Sequence, residues 1–122
     1  MPGIDLAHCR VLLFTPGNRP ERFAKAAATG ADALILDLED AVAGPAKDEA
    51  RAILLEHLRG DFRAGLAPHQ LKGLRVNNIH TGAGVRDLDA LVSSGVAPDF
   101  VMLPKVESAF EVRLYARHLS GA

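Results

Sequence analysis

The sequence predicts an α/β fold, the first four βα units of a (β/α)8 TIM barrel. Three observations predict it: apolar runs of strand length, stretches of helical spacing between them, and ionisable residues where each run ends. The runs are residues 11–14, 33–38, 74–76 and 100–103, rich in Val, Ile, Leu and Phe, and short enough to be strands buried in a parallel sheet. The first helix is expected over 20–29, with Asn18 ahead of it, Pro20 at its first position and Gly30 after its end. The second, over 45–58, sets Ala46, Ala50, Ile53, Leu54 and His57 or Leu58 on one stripe. A third spans 85–94 with Leu88, Leu91 and Val92 inward and Gly95 as its stop, and a fourth opens at Ser108, which forms an S-x-x-E capping box with Glu111. Residues 60–73, holding Gly60, Gly65, Pro68 and Gly73, read as a long loop between the second helix and the third strand. No linker divides residues 1–122, which read as one half-barrel domain. Periodicity alone leaves a doubly wound open sheet as the alternative.

The length sets the limit on that barrel. A complete one takes about 250 residues, and 122 supply half. Apolar residues at 48% and charged ones at 24% fit a packed domain, not a disordered or fibrous chain. With 14 basic and 15 acidic residues, the net charge of -1 gives no reason to expect nucleic acid or an anionic membrane as partner. The single Cys9 cannot form an internal disulfide, no apolar run approaches the roughly 20 residues of a membrane helix, and Asp5 and His8 interrupt any export signal. A reducing cytoplasm is the expected location.

In either architecture ligands meet the carboxyl ends of the strands. The first run exits into Thr15-Pro16-Gly17-Asn18-Arg19-Pro20-Glu21-Arg22, the second into Asp37-Leu38-Glu39-Asp40, the third carries Arg75-Val76-Asn77-Asn78, and the fourth exits into Pro104-Lys105-Val106-Glu107. Strand geometry sends Asp37 and Glu39 to one face and Leu38 to the other. Carboxylates so close repel unless a cation sits nearby: a divalent metal held through water, Arg75, or Lys105. The alternative is an ion-pair network that only closes the sheet's mouth. Arg75, at a strand end, is expected to emerge inside the mouth, where its planar fork suits a substrate carboxylate or a developing enolate; a salt bridge to Asp37 or Asp40 is the competing role, and both can coexist.

Arg19, Arg22 and Lys25 surround the start of the first helix and suit the phosphates of a coenzyme A tail, although Arg22 and Lys25 also read as a solvated helix face. The histidines His8, His57, His69, His80 and His118 show no zinc spacing and read as surface or packing residues. Lys105 as a Schiff-base lysine is the lesser reading beside an ion pair.

Taken in order, Leu13-Phe14-Thr15-Pro16-Gly17-Asn18-Arg19-Pro20-Glu21-Arg22-Phe23, Ile35-Leu36-Asp37-Leu38-Glu39-Asp40-Ala41-Val42, Arg75-Val76-Asn77 and Met102-Leu103-Pro104-Lys105-Val106-Glu107-Ser108 resemble the amino-terminal half of the citrate lyase β-subunit family of the HpcH/HpaI aldolases. The resemblance runs from about Arg10 onward. It implies a TIM barrel and a Mg2+-dependent carbon–carbon lyase that cleaves a 3-hydroxyacyl-CoA of the citryl-, citramalyl- or malyl-CoA kind into an acyl-CoA and a keto acid. It implies Arg75 as the carboxylate-binding arginine, Phe14 and Lys25 at the coenzyme A thioester with Arg22 as a weaker match, and Asp37 and Asp40 in the outer shell of the metal. The family's two direct magnesium ligands, a Glu and an Asp, follow the fourth helix and are expected beyond Ala122, so the resemblance assigns no direct metal ligand to these residues.

Three functions therefore stand at this point: part of a full-length acyl-CoA lyase, a non-catalytic half-barrel module that oligomerises, and an aldolase acting on a free keto acid without coenzyme A. A homo-oligomer, with or without other citrate lyase subunits, is the expected assembly.

Overall fold

In a computed structural model, residues 6–120 are described. Residues 1–5, half of the stretch read for an export signal, lie outside them; Leu6–His8 form a 3-10 turn. At the other end Ala122, the position beyond which the direct magnesium ligands are expected, also lies outside the described residues. The element order is β1 (Leu12–Pro16), a 3-10 turn Pro20–Arg22, α1 (Phe23–Ala28), β2 (Ala33–Asp37), a 3-10 turn Gly44–Ala46, α2 (Lys47–Arg59), β3 (Leu71–Arg75), α3 (Gly82–Ser94), β4 (Val101–Met102) and α4 (Ala109–Ser120).

The strands form one parallel sheet in the order β1-β2-β3-β4. This order has no switch point among its four strands and is consistent with part of a barrel. The sheet is a four-stranded arc; it does not close, and β1 and β4 are its unpaired edges. Leu36, Leu74 and Val101 turn to one face, where they pack with Leu54 and Leu58 of α2 and Leu88 and Leu91 of α3. Each such leucine, fully buried, contributes about 1.5–3 kcal/mol. The alternate residues, Leu12 and Phe14 of β1, Ile35 and Asp37 of β2, Gly73 and Arg75 of β3, line the inner face. Leu12 and Phe14 are 43% and 41% exposed there.

The element boundaries differ from the sequence reading where single residues carry tertiary roles. Strand β3 begins at Leu71, inside the expected loop, because buried Lys72 and Gly73 continue the pairing with Leu34 and Ile35. Gly73 is needed there: a Cβ would collide with the Phe100 ring. Gln70 closes the preceding loop onto α1, donating to the carbonyls of Ala27 (2.9 Å) and Ala31 (3.0 Å). Helix α1 is only six residues long and follows a 3-10 turn, with no side-chain cap at Arg19 or Arg22. Helix α3 starts three residues earlier than its apolar spacing suggests, since Thr81 caps it by accepting from Gly84 N at 3.0 Å. At α4, Ser108 Oγ accepts from Glu111 N at 3.2 Å, but the Glu111 carboxylate accepts from Glu107 N rather than closing the box on Ser108. No helix among the described residues is long and apolar enough to cross a membrane.

Gly84 places the start of α3 against the β3 exit, where a Cβ would collide with the Asn78 carbonyl. Gly84→Ala is expected to cost about 1–3 kcal/mol, as overpacking against a backbone that cannot yield. Urea denaturation of the variant measures it, and an unchanged midpoint would show that the approach is not tight.

Candidate active site

The parallel register sets Pro16, Asp37, Arg75 and Met102 at one level across the carboxyl ends of the strands, so Asp37 and Arg75 are direct neighbours on the inner face. Arg75 Nε donates to Asp37 Oδ1 at 2.9 Å and Nη2 to Oδ2 at 2.6 Å, the two parallel bonds of a guanidinium–carboxylate fork. Asp37 is 0% exposed and its oxygens also accept from Glu39 N (2.9 Å) and Ala41 N (3.0 Å). The Arg75 side chain remains 20% exposed. Its guanidinium carbon lies 4.5 Å from the centre of the Phe14 ring, a cation–π contact joining β1 to β3 across the inner face.

The acidic turn continues the network. Lys105 Nζ donates to Glu39 Oε2 at 2.6 Å and to both Asp40 oxygens at 2.9 Å, which realises the ion-pair reading of this lysine. Lys105 sits at φ 38°, a left-handed backbone that costs a residue with a Cβ roughly 1–2 kcal/mol. Glu39 Oε1 is buried without a hydrogen-bond partner, its nearest cation being Arg75 Nε at 3.4 Å. Three carboxylates meet Arg75 and Lys105 here, and Lys47 Nζ brings a third positive charge to the same turn by donating to the carbonyls of Leu38 (3.0 Å) and Glu39 (2.7 Å). Among the described residues no acceptor meets Arg75 Nη1.

Burial alone would raise the Asp37 carboxyl, but the Arg75 hydrogen bonds and the Glu39 and Ala41 amides outweigh it and hold it below its ordinary 3.8. Hydrogen bonds from Arg75 to Asp37 in turn make the guanidinium hold its proton more tightly, and the Glu39 and Asp40 contacts do the same for Lys105.

Arg22 and Lys25 are exposed and line, with Phe14 and Thr15, a shallow hollow of about 330 Å3 beside β1. The six-residue helix that carries Lys25 adds little N-terminal field, so any anion there rests on the two side-chain charges. No group of three or more His, Cys, Asp or Glu among the described residues is arranged to hold a metal ion. The acids at the mouth do not fit a direct magnesium site, since Asp37, Glu39 Oε2 and Asp40 are already engaged by Arg75 and Lys105.

Several residues that the sequence reading passed over fix the β3 exit from behind. Asp87 of α3, fully buried, accepts from Asn77 N and Asn77 Nδ2, both at 2.8 Å, and from Arg51 Nε of α2 at 2.7 Å. Tyr115 of α4 accepts from Ile79 N at 2.8 Å through its hydroxyl. An Asp on the apolar stripe of α3 was the available signal for this anchor.

Fold and mouth together define an α/β chain of parallel βα units with an arginine–carboxylate fork on the inner face of an open arc. The sequence profile of the HpcH/HpaI aldolase/citrate lyase family matches residues 10–120, and the chain belongs to that family. It is 37% identical over 116 residues to the mitochondrial citramalyl-CoA lyase of Homo sapiens, covering 92% of this chain and 33% of that protein. The L-malyl-CoA/β-methylmalyl-CoA lyase of Cereibacter sphaeroides is 40% identical over 105 residues, covering 84% of this chain and 31% of the relative. Among solved structures, CitE of Mycobacterium tuberculosis in complex with magnesium, acetoacetate and coenzyme A matches with a TM-score of 0.71 at 44% identity, over 91% of this chain and 38% of that one. The chain thus spans about a third of the length of these curated relatives.

The coupling of Asp37 to Arg75 predicts a specific pH response. Its depressed carboxyl contributes stability that is present above 3.8 and is lost as pH falls through the lower folded value. Arg75→Met leaves a buried unpaired carboxylate and is expected to cost about 3–5 kcal/mol at neutral pH. That gap should narrow on acidification, because a protonated Asp37 needs no cation. Denaturant titrations of both proteins across acidic pH check this, and a pH-independent gap contradicts it.

Proposed function

We propose that this chain forms the amino-terminal half of a (β/α)8 lyase domain that cleaves the carbon–carbon bond of a 3-hydroxyacyl-CoA into an acyl-CoA and a keto acid. Citryl-, citramalyl- and malyl-CoA are the substrate class. The observation that supports it most directly is Arg75, fixed by Asp37 on the inner face with Nη1 unengaged at the strand exit. In this reading Nη1 donates to the substrate carboxylate and then to the oxygen that gains charge as the bond breaks. Asp37 acts through Arg75, holding the fork in one orientation, while Asp40 and Lys105 close the mouth beside it. Phe14 faces the thioester, and Arg22 and Lys25 take the phosphates of coenzyme A along the hollow beside β1. Mg2+ belongs to the proposal through the family, with these acids as outer partners and its direct ligands beyond Ala122.

A second reading, an oligomeric half-barrel binding module, is favoured by the exposed Leu12 and Phe14 and by the two unpaired strand edges. Calorimetry with acetyl-CoA and with acetoacetate, combined with size exclusion, tests both. The lyase reading expects Arg75→Ala to weaken acetoacetate binding by about 2–5 kcal/mol, with Arg75→Lys recovering only part. Lys25→Ala should weaken acetyl-CoA binding while leaving acetoacetate unaffected. Unchanged acetoacetate affinity in Arg75→Ala would make the arginine purely structural, and unchanged acetyl-CoA affinity in Lys25→Ala would favour a free keto acid as substrate.

A further inference from the structure

On the helix-covered side of β3, opposite Arg75, Lys72 carries a charge that the proposed reaction does not use. The residue is 3% exposed, and its Nζ meets His57 Nε2 at 3.0 Å. An ammonium has three N–H donors and here has one neutral imidazole as acceptor. The nearest carboxylate, Asp99, is already engaged: it pairs with Arg63 and accepts from the backbone N–H of Lys72. Arg63 adds a second positive charge to the surroundings. Next to the ammonium lies a cavity of about 320 Å3 between α1, α2 and the loop before β3. Phe23, Ala24, Ala27 and Pro20 supply apolar walls, with Lys72 and His57 as its polar end. The volume is near the lower end of small-molecule sites, which run from about 300 to 1,000 Å3.

We infer that this cavity is a binding site for a small monocarboxylate, with the carboxylate on Lys72 Nζ and a short aliphatic tail against Phe23 and the α1 alanines. The site is separate from the Arg75 mouth, on the other face of the sheet, and does not depend on the lyase reading. An apolar chamber whose one lining ammonium makes no hydrogen bond to a carboxylate discriminates for one negative charge on an apolar body. A dicarboxylate or a phosphate brings more charge than one ammonium neutralises. Burial lowers the Lys72 pKa against the opposing attraction of Asp99, and burial followed by the Lys72 charge lowers that of His57. A bound carboxylate favours the ammonium, so binding takes up a proton and weakens as pH rises through the Lys72 value.

The test is a thermal-shift and calorimetric titration of the 122-residue chain with sodium butyrate at constant ionic strength, with butyramide as the uncharged control. Expected are a saturable rise in Tm with butyrate, none with butyramide, and an affinity that falls as pH rises. Lys72→Met keeps the length and removes a buried charge that costs desolvation. It should lower butyrate affinity by at least about tenfold, with His57 ring resonances no longer shifting on titration. Equal responses to butyrate and butyramide, no saturable response to butyrate, or full affinity in Lys72→Met each overturn the proposal. The butyrate–butyramide contrast and the pH dependence decide it in the unmodified chain alone, should the variant fail to fold.

Discussion

The fork between Arg75 and Asp37 is the constraint around which the mouth of this arc is organised. A carboxylate with no solvent exposure cannot remain ionised without a cation, and a guanidinium at the same register level on the next strand supplies it with two aligned bonds. The backbone amides of Glu39 and Ala41 then fold the acidic turn around the same carboxylate. That turn carries Glu39 and Asp40 to Lys105, so one buried acid positions groups from three of the four strand exits. Phe14 extends the arrangement to the fourth by lying under the guanidinium.

Behind the sheet a second buried acid, Asp87, plays the matching part. It ties Asn77, two residues past β3, to α2 and α3, so the strand that carries Arg75 is held at its exit by packing on one side and by a fork on the other. An arginine fixed by a fork on a strand held this way has little freedom left to lose. The inner face is different. Its apolar residues at β1 stay half exposed because the arc ends there, and burying them needs further protein against an edge that offers unpaired backbone groups.

Family membership gives this geometry a context, and relatives named as acyl-CoA lyases share 37–40% identity with the chain over most of its length. They are about three times as long, and the acids present here are engaged by internal cations. Within residues 6–120 the acids at the strand exits are therefore neutralised by side chains of the chain itself.

The sequence by itself determined the alternation of strands and helices, the stripes of α2 and α3, and the gathering of Asp37, Glu39, Asp40, Arg75 and Lys105 at strand exits. These follow from periodicities of two and 3.6 residues that any neighbour must respect. Tertiary structure alone decided the rest. Lys72 and Gly73 look like loop chemistry until one finds His57 as its neighbour and the other accommodates the Phe100 ring, and both then extend β3. The order of the strands, the choice of Asp37 over Asp40 as the partner of Arg75, and the anchoring by Asp87 depend on which elements meet across the sheet. Local spacing carries the face a side chain takes, but its partner lies dozens of residues away, and only packing brings the two together.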